Sequence, residues 1–211
     1  QSSAGVFNEP HYYKMRKMLD LFETKQVRIK RQHVLNQVCK HMVENNMLPA
    51  LCFVLSRKQL EVCAKEITTD LLEFDSKVGY TTQRECEQII RKLPNHQEYL
   101  HLPEYVERVT LLERGIAIHH SGVMPVLKEM VEILYAKGYI KLLFATETFS
   151  IGVNMPTKTV VFTNSTKFDG NSMRNLYSHE YTQMAGRAGR RGLDTVGHVF
   201  HCVNLFEPPT V

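Results

Sequence analysis

The sequence predicts an α/β domain built on a mostly parallel sheet with helices on both faces. Continuous apolar runs at 50–55, 116–118, 141–145, 159–162 and 198–203 have the short length of strands buried on both sides. Helical stripes fall between these runs, and that alternating order belongs to crossover connections rather than hairpins. Polar residues also gather just after several of the runs, and strand ends are where ligand groups of parallel α/β folds collect.

Taken in order, residues 1–44 read as a lead-in followed by a helical segment. The first ten residues are polar, contain glycine and end at Pro10, the pattern of a flexible start. Met15, Met18, Leu19 and Phe22 share one helical face, and Val34, Leu35, Val38 and Met42 share another. Between them Lys25, Arg28, Lys30 and Arg31 form a basic cluster that fits a solvated surface, an RNA-facing patch or an interdomain patch. The main domain spans 45–205. Its first strand ends at Ser56 and Arg57 and is followed by a helical stripe of Leu60, Cys63, Ala64 and Ile67. Residues 70–114 read as a helical excursion broken at Gly79, Pro94 and Pro103, with Val106, Val109 and Leu112 facing one way and Arg114-Gly115 ending it. The second strand delivers His119, His120, Ser121 and Gly122. Pro125 then suits a first helical turn, Leu127, Met130, Val131 and Leu134 its buried face, and Gly138 its stop. The third strand runs into Thr146, Glu147 and Thr148, while 206–211 reads as a linker.

The 211 residues are enough for one domain with a sizeable core, and 43% apolar with 23% charged content is ordinary for a globular protein. A formal charge of +4 is compatible with nucleic acid without identifying it. No apolar run reaches membrane-spanning length, so no membrane partner is expected. The first residue is Gln, which predicts a processed N-terminus or a fragment. Cys39, Cys52, Cys63, Cys86 and Cys202 are scattered and without a C-x-x-C pair. They read as reduced thiols of an intracellular compartment, cytoplasmic or nuclear. No histidine or cysteine spacing suggests a metal site.

The densest polar run is Gln183-Met-Ala-Gly-Arg-Ala-Gly-Arg-Arg-Gly-Leu-Asp194. Arg187 and Arg190 are three apart and would point the same way on a helical turn, where two guanidinium forks suit a polyphosphate. The run equally fits a solvated basic loop. Asp194 is placed to neutralise part of the Arg187, Arg190 and Arg191 cluster. Hydroxyls of Thr146 and Thr148 at a strand end can bind phosphate. Glu147 near a phosphate chain would need Arg, Lys or a base edge as partner. His119 also fits a core position, Ser121 a helix cap and Asn154 a turn before Pro156.

That run resembles the last conserved motif of superfamily-2 helicases, in the form used by the superkiller-type DExH helicases that feed the RNA exosome. Ala145-Thr-Glu-Thr-Phe-Ser-Ile-Gly-Val-Asn-Met-Pro156 resembles the preceding motif, His119-His-Ser-Gly122 another and Phe53-Val-Leu-Ser-Arg57 the opening one, all in family order. The resemblance covers most of 49–203 and implies the second RecA-like domain, a three-layer α/β unit, of an ATP-dependent 3′-to-5′ RNA helicase. It implies arginine fingers at Arg187 and Arg190 with Gln183 beside them, and nucleotide contacts from Gly152, Asn154, Gly186, Gly189 and Asp194. Asn154 stands where many such helicases carry Asp. Contacts to single-stranded RNA fall to Arg57, Ser121, Gly122, Thr146, Glu147 and Thr148, and Lys167-Phe-Asp-Gly170 implies a loop near the domain junction in which Asp169 folds back on a basic residue.

The sequence has no G-x-x-x-x-G-K-[ST] loop and no Asp-Glu pair after a strand. ATP and Mg²⁺ would therefore need a first RecA-like domain to supply the Mg²⁺ ligands, and the fragment alone is expected to be inactive. An RNA exosome or other RNA-decay assembly is the implied partner. A DNA repair or recombination helicase and a noncatalytic binding scaffold are the competing readings.

Overall fold

The computed structural model describes residues 9–74, 76–149, 154–202 and 204–207. All five expected strands form. In chain order the strands are β1 (Ala50–Phe53), β2 (Ile116–His119), β3 (Leu142–Ala145), β4 (Thr159–Phe162), β5 (Thr166–Phe168), β6 (Met173–Asn175) and β7 (His198–His201). Five of them make one fully parallel sheet in the order β2-β3-β1-β4-β7. β1 to β4 are buried along their whole length, which is why each reads as an unbroken apolar run, whereas the edge strand β7 alternates. The connection leaving β1 runs towards β2 and the one leaving β4 runs towards β7, so the two part company at the centre of the sheet.

Seven helices are present among the described residues: α1 (Glu9–Glu44), α2 (Arg57–Lys65), α3 (Val78–Arg91), α4 (His96–Leu100), α5 (Pro103–Glu113), α6 (Pro125–Ala136) and α7 (Ser178–Ala185). With the sheet they make the α/β layered domain that the strand-helix alternation predicts. The two apolar faces of the N-terminal segment belong to one continuous helix of 36 residues. Leu35, Cys39 and Met42 enter the core, but Met15, Met18, Leu19 and Phe22 stand exposed. Part of the basic cluster is structural. Arg31 forks onto Glu66 at 2.9 and 2.6 Å, and Lys30 donates to the Asn204 carbonyl at 3.0 Å.

The helical excursion needs two corrections. Gly79 does not interrupt α3; a Cβ there would meet the Glu113 carbonyl oxygen at 2.8 Å, so glycine lets α3 press against α5. Val106 is exposed, and the buried face of α5 is Tyr105, Arg108, Val109, Leu111 and Leu112. The expected loop at 167–170 is a two-stranded hairpin in which β5 pairs antiparallel with β6. Asp169 caps its turn by accepting the Asn171 and Ser172 N–H groups, both at 2.9 Å, rather than by folding onto a basic residue. α6 opens on Pro125 and buries Leu127, Met130, Val131 and Leu134, as its spacing predicts. All five cysteines are free and buried. Among the described residues no helix is long and apolar enough to cross a membrane, and no group of three or more His, Cys, Asp or Glu residues could hold a metal ion.

Candidate nucleotide and nucleic-acid interfaces

Met184, fully buried, anchors α7 and leaves Gln183 exposed on its outer side. Beyond α7 the chain runs alongside the segment that enters β4. Thr157 donates its N–H to the Arg187 carbonyl at 3.0 Å, and Gly189 donates to the Thr157 carbonyl at 2.7 Å. Arg187 and Arg190 therefore flank a one-residue parallel bridge, Thr157 with Ala188, and not a shared helical turn. The helical pattern cannot continue because Gly189 takes φ +86° and lies against Gly197, with only 3.3 Å between a built Cβ and the Gly197 backbone. A Cβ on Gly197 would come within 2.6 Å of the Ala188 carbonyl, so this pair lets two backbones touch. Gly186 is likewise explained inside the chain, since its Cβ would meet the Thr182 carbonyl at 2.9 Å.

Of the three arginines near Asp194, Arg190 takes it. Its Nε and Nη2 donate to the two carboxylate oxygens at 2.8 and 3.0 Å, and its backbone N–H donates at 2.9 Å. The side chain of Asp194 is 4% exposed. The Arg190 bonds hold its carboxyl down at about 2, below the ordinary aspartate range. A depressed folded-state pKa means that the pair's stabilisation is present above the unfolded pKa, near 4, and is lost as pH falls towards 2. Acid titration of stability should therefore be shallower for Asp194→Asn than for wild type between about pH 4 and 2. Equal slopes would show that the clasp contributes nothing.

Asn154 is exposed beside the buried Met155, and the Pro156 carbonyl accepts the Tyr135 hydroxyl from α6. Burial pushes the Tyr135 phenol up to about 12, with Arg190 and Asp194 close enough to act on it electrostatically. One tyrosine thus touches the Asn154–Pro156 stretch and neighbours the Arg190 clasp. Gly152 lies outside the described residues.

The first set meets at the amino ends of β4 and β7, and the second occupies the opposite end of the sheet, at the carboxyl ends of β1, β3 and β2. Phe53 and His119 both stand in register with Ala145, so the turns that follow leave three adjacent strands at one level. Arg57, first residue of α2, donates to the Ser121 hydroxyl. Ser121 does not cap α6, whose N-cap is Met124. His119 keeps to the core: it is 8% exposed, reaches Glu132 at 3.4 Å and meets Phe149 edge-on at 5.1 Å. Burial holds its pKa below the usual histidine value. After β3, the Thr146 and Thr148 hydroxyls share a hydrogen bond of 3.0 Å, with Thr146 buried and Thr148 exposed. Glu147 meets Lys167 of β5 at 3.4 Å, and Lys167 also lies 3.3 Å from Glu180.

Residues 102–192 match the helicase conserved C-terminal domain. The chain is 44% identical over 165 residues to the antiviral helicase SKI2 of Saccharomyces cerevisiae, covering 77% of this chain. It is 42% identical over 180 residues to the human exosome RNA helicase MTR4, and 44% identical over 175 residues to the Arabidopsis thaliana DExH-box ATP-dependent RNA helicase DExH9, each covering 83% of this chain. The chain belongs to the SKI2/MTR4-type superfamily-2 helicases as their C-terminal, RecA-like domain. It spans only 12, 16 and 17% of those three relatives.

Within this helicase domain the connection from β3 to β4 joins the two ends of the sheet: Thr146 leaves the carboxyl end, and Asn154 and Thr157 arrive at the amino end. Several of its structural contributors carry no sequence signal of their own. Tyr135 reads as one more helix residue, Gly197 as one more turn glycine, and Lys167 as part of a loop. Arg174 of β6 forks onto Glu180 at 2.9 and 2.7 Å and stacks over Tyr177 at 3.9 Å, holding the hairpin against the start of α7. The Arg174 bonds keep the Glu180 carboxyl well below the usual carboxylate range.

Proposed function

We propose that this helicase domain is the C-terminal motor half of an ATP-dependent 3′-to-5′ RNA helicase. In this reading Arg187 and Arg190 are arginine fingers directed at the terminal phosphates of ATP, with Gln183 and Asn154 beside them. The observation that carries it is the Thr157–Ala188 bridge, which sets the Arg187–Arg190 loop beside the Asn154–Pro156 stretch at the amino end of β4. The donor chemistry fits: guanidinium forks match phosphate oxygens, and an exposed amide can serve a ribose or phosphate. Gly186 and Gly189 shape this loop, and Asp194 holds Arg190 in place until phosphate competes for the fork.

Bound ATP with Mg²⁺ would supply the reactive phosphoanhydride, the metal being held by a first RecA-like domain that also carries the phosphate-cradling lysine. Arg190 would then exchange one anionic partner for another, stabilising charge as it develops on the transferred phosphoryl group. At the carboxyl end of the sheet Arg57, Ser121, Thr146 and Thr148 would meet the phosphates of single-stranded RNA, Gly122 would let the strand approach the turn closely, and Glu147, paired with Lys167, would face a base edge rather than a phosphate. The β3-to-β4 connection would pass strand engagement to the nucleotide side. An exosome or related decay assembly is the partner class suggested by relatives named exosome RNA helicases.

Phosphate release by the intact protein, measured with Mg-ATP and with RNA or DNA added, tests this function. RNA stimulation above DNA supports it, DNA-selective stimulation replaces it with a DNA helicase, and no hydrolysis leaves a binding scaffold. The 211-residue chain alone should release no phosphate above buffer. Activity that tracks the purified chain would refute the half-site reading.

A further inference from the structure

Behind the Ser121–Gly122 turn lies a polar chain two of whose members, Glu61 and Arg108, belong to none of the helicase motifs above. Arg57 and Glu61 are one turn apart on α2 and so face the same way. Arg57 reaches the Ser121 hydroxyl, while the Glu61 Oε1 lies 3.0 Å from His120 Nε2 and 2.6 Å from Arg108 Nη2 of α5. On the other side of the imidazole, Gly122 donates its backbone N–H to His120 Nδ1 at 3.0 Å. Val123 closes the same turn by donating to the His120 carbonyl at 3.1 Å. A Cβ at Gly122 would stand 3.0 Å from His120 Cε1 and 3.1 Å from Nδ1, so the ring is pressed against the turn.

Only one protonation state of His120 satisfies both neighbours. An ionised carboxylate can only accept, so Nε2 must carry the proton; Gly122 N–H can only donate, so Nδ1 must be bare. Burial alone would raise the Glu61 carboxyl, but its bonds from His120 and Arg108 prevail and hold it below the ordinary range. Arg108 is 6% exposed and is matched to Glu61 through Nη2. The Arg108 side chain is nearly enclosed while that of Glu61 is 35% exposed, and a pair so open to water on one side adds little to stability by itself.

We infer that Glu61 and Arg108 are positioning residues for strand binding, holding His120 in the tautomer whose Nδ1 fixes the Ser121–Gly122 turn beside Arg57. The inference rests on the reading that this turn faces RNA phosphates. Arg108 keeps Glu61 ionised, Glu61 keeps the proton on Nε2, and Nδ1 keeps the Gly122 amide turned inward. Ser121 is thereby left exposed at the apex, next to a guanidinium. A loose turn would have to be ordered at each binding event, and that ordering would be drawn from the affinity.

The test uses the intact helicase, fluorescently labelled single-stranded RNA and a melting curve for every variant. His120→Phe keeps a ring but loses both bonds, and should weaken RNA binding roughly tenfold, the scale of a lost hydrogen bond. His120→Asn cannot reach Glu61, yet its side-chain oxygen can accept the N–H two residues on, a bond asparagine makes readily. It should restore affinity to within about threefold of wild type. Glu61→Ala should cost roughly fivefold in the wild-type background and nothing in the His120→Asn background, where no tautomer remains to be held. A role confined to stability would not produce that non-additivity. The inference is overturned if His120→Asn binds as weakly as a folded His120→Phe, or if Glu61→Ala costs the same affinity in both backgrounds. Arg57→Ala separates the two levels. If it weakens binding while His120→Phe does not, only the positioning role falls; if neither weakens binding, the RNA-facing turn falls with it.

Discussion

Arg190→Ala is expected to lower ATP turnover of the intact helicase by roughly a thousandfold or more, the range over which an arginine finger acts. RNA affinity should change far less, because strand contacts are assigned to the carboxyl end of the sheet and Arg190 lies by its amino end. The same substitution strips the 4%-exposed Asp194 carboxylate of both guanidinium bonds, leaving it, among the described residues, the Arg190 backbone N–H. Some loss of thermal stability should follow, since a buried charge has lost its partner. Arg190→Lys separates the two effects. Lysine keeps a positive charge for Asp194 but lacks the planar fork that meets two oxygens at once, so the protein should melt near the wild-type temperature while turnover stays depressed. Parallel losses of RNA affinity and turnover in both variants would make Arg190 a strand-contact or folding residue instead.

At the opposite end of the sheet, Thr148→Val should weaken binding of single-stranded RNA by roughly ten- to a hundredfold, the effect of losing a hydrogen bond to a charged phosphate worth ~1.5–3 kcal/mol. Thr148 is the exposed hydroxyl, and the buried Thr146 hydroxyl 3.0 Å away holds its orientation. Thr146→Val should therefore cost affinity as well, and the double variant should be little worse than Thr148→Val alone, because the two hydroxyls act as one unit. Valine preserves volume and β-propensity, so β3 should survive both changes. Unchanged RNA affinity in stably folded variants would remove this strand end from the interface. A fall in melting temperature with affinity lost only in proportion would assign the pair to local structure.

Most of the fold was legible because β1 to β4 are buried on both faces, and such strands leave continuous apolar runs. The hairpin β5–β6 was not legible. It is three residues per strand, none of them buried and without apolar alternation, so nothing in its pattern distinguishes it from a loop. Gly79 misled because a glycine that admits a neighbouring helix looks the same in sequence as one that ends its own. The arginine pair misled for a related reason. Spacing of three suggests one helical face, but Gly189 at φ +86° breaks the turn and the bridge to Thr157 sets the geometry.

What the sequence by itself determined was chemistry and order: which groups can meet phosphate, which runs must be buried, and the succession of motifs that resembles a helicase. The Arg190–Asp194 clasp was within its reach because the partners are four residues apart and one local turn joins them. The tertiary structure alone decided which end of the sheet each group occupies and who holds it. His120 meets Glu61 across 59 positions and Arg108 meets Glu61 across 47, distances over which residue type carries no record of its partner. Those contacts exist because the parallel sheet brings α2, α5 and the end of β2 together, and sheet order is set by the packing of the whole core rather than by any segment within it.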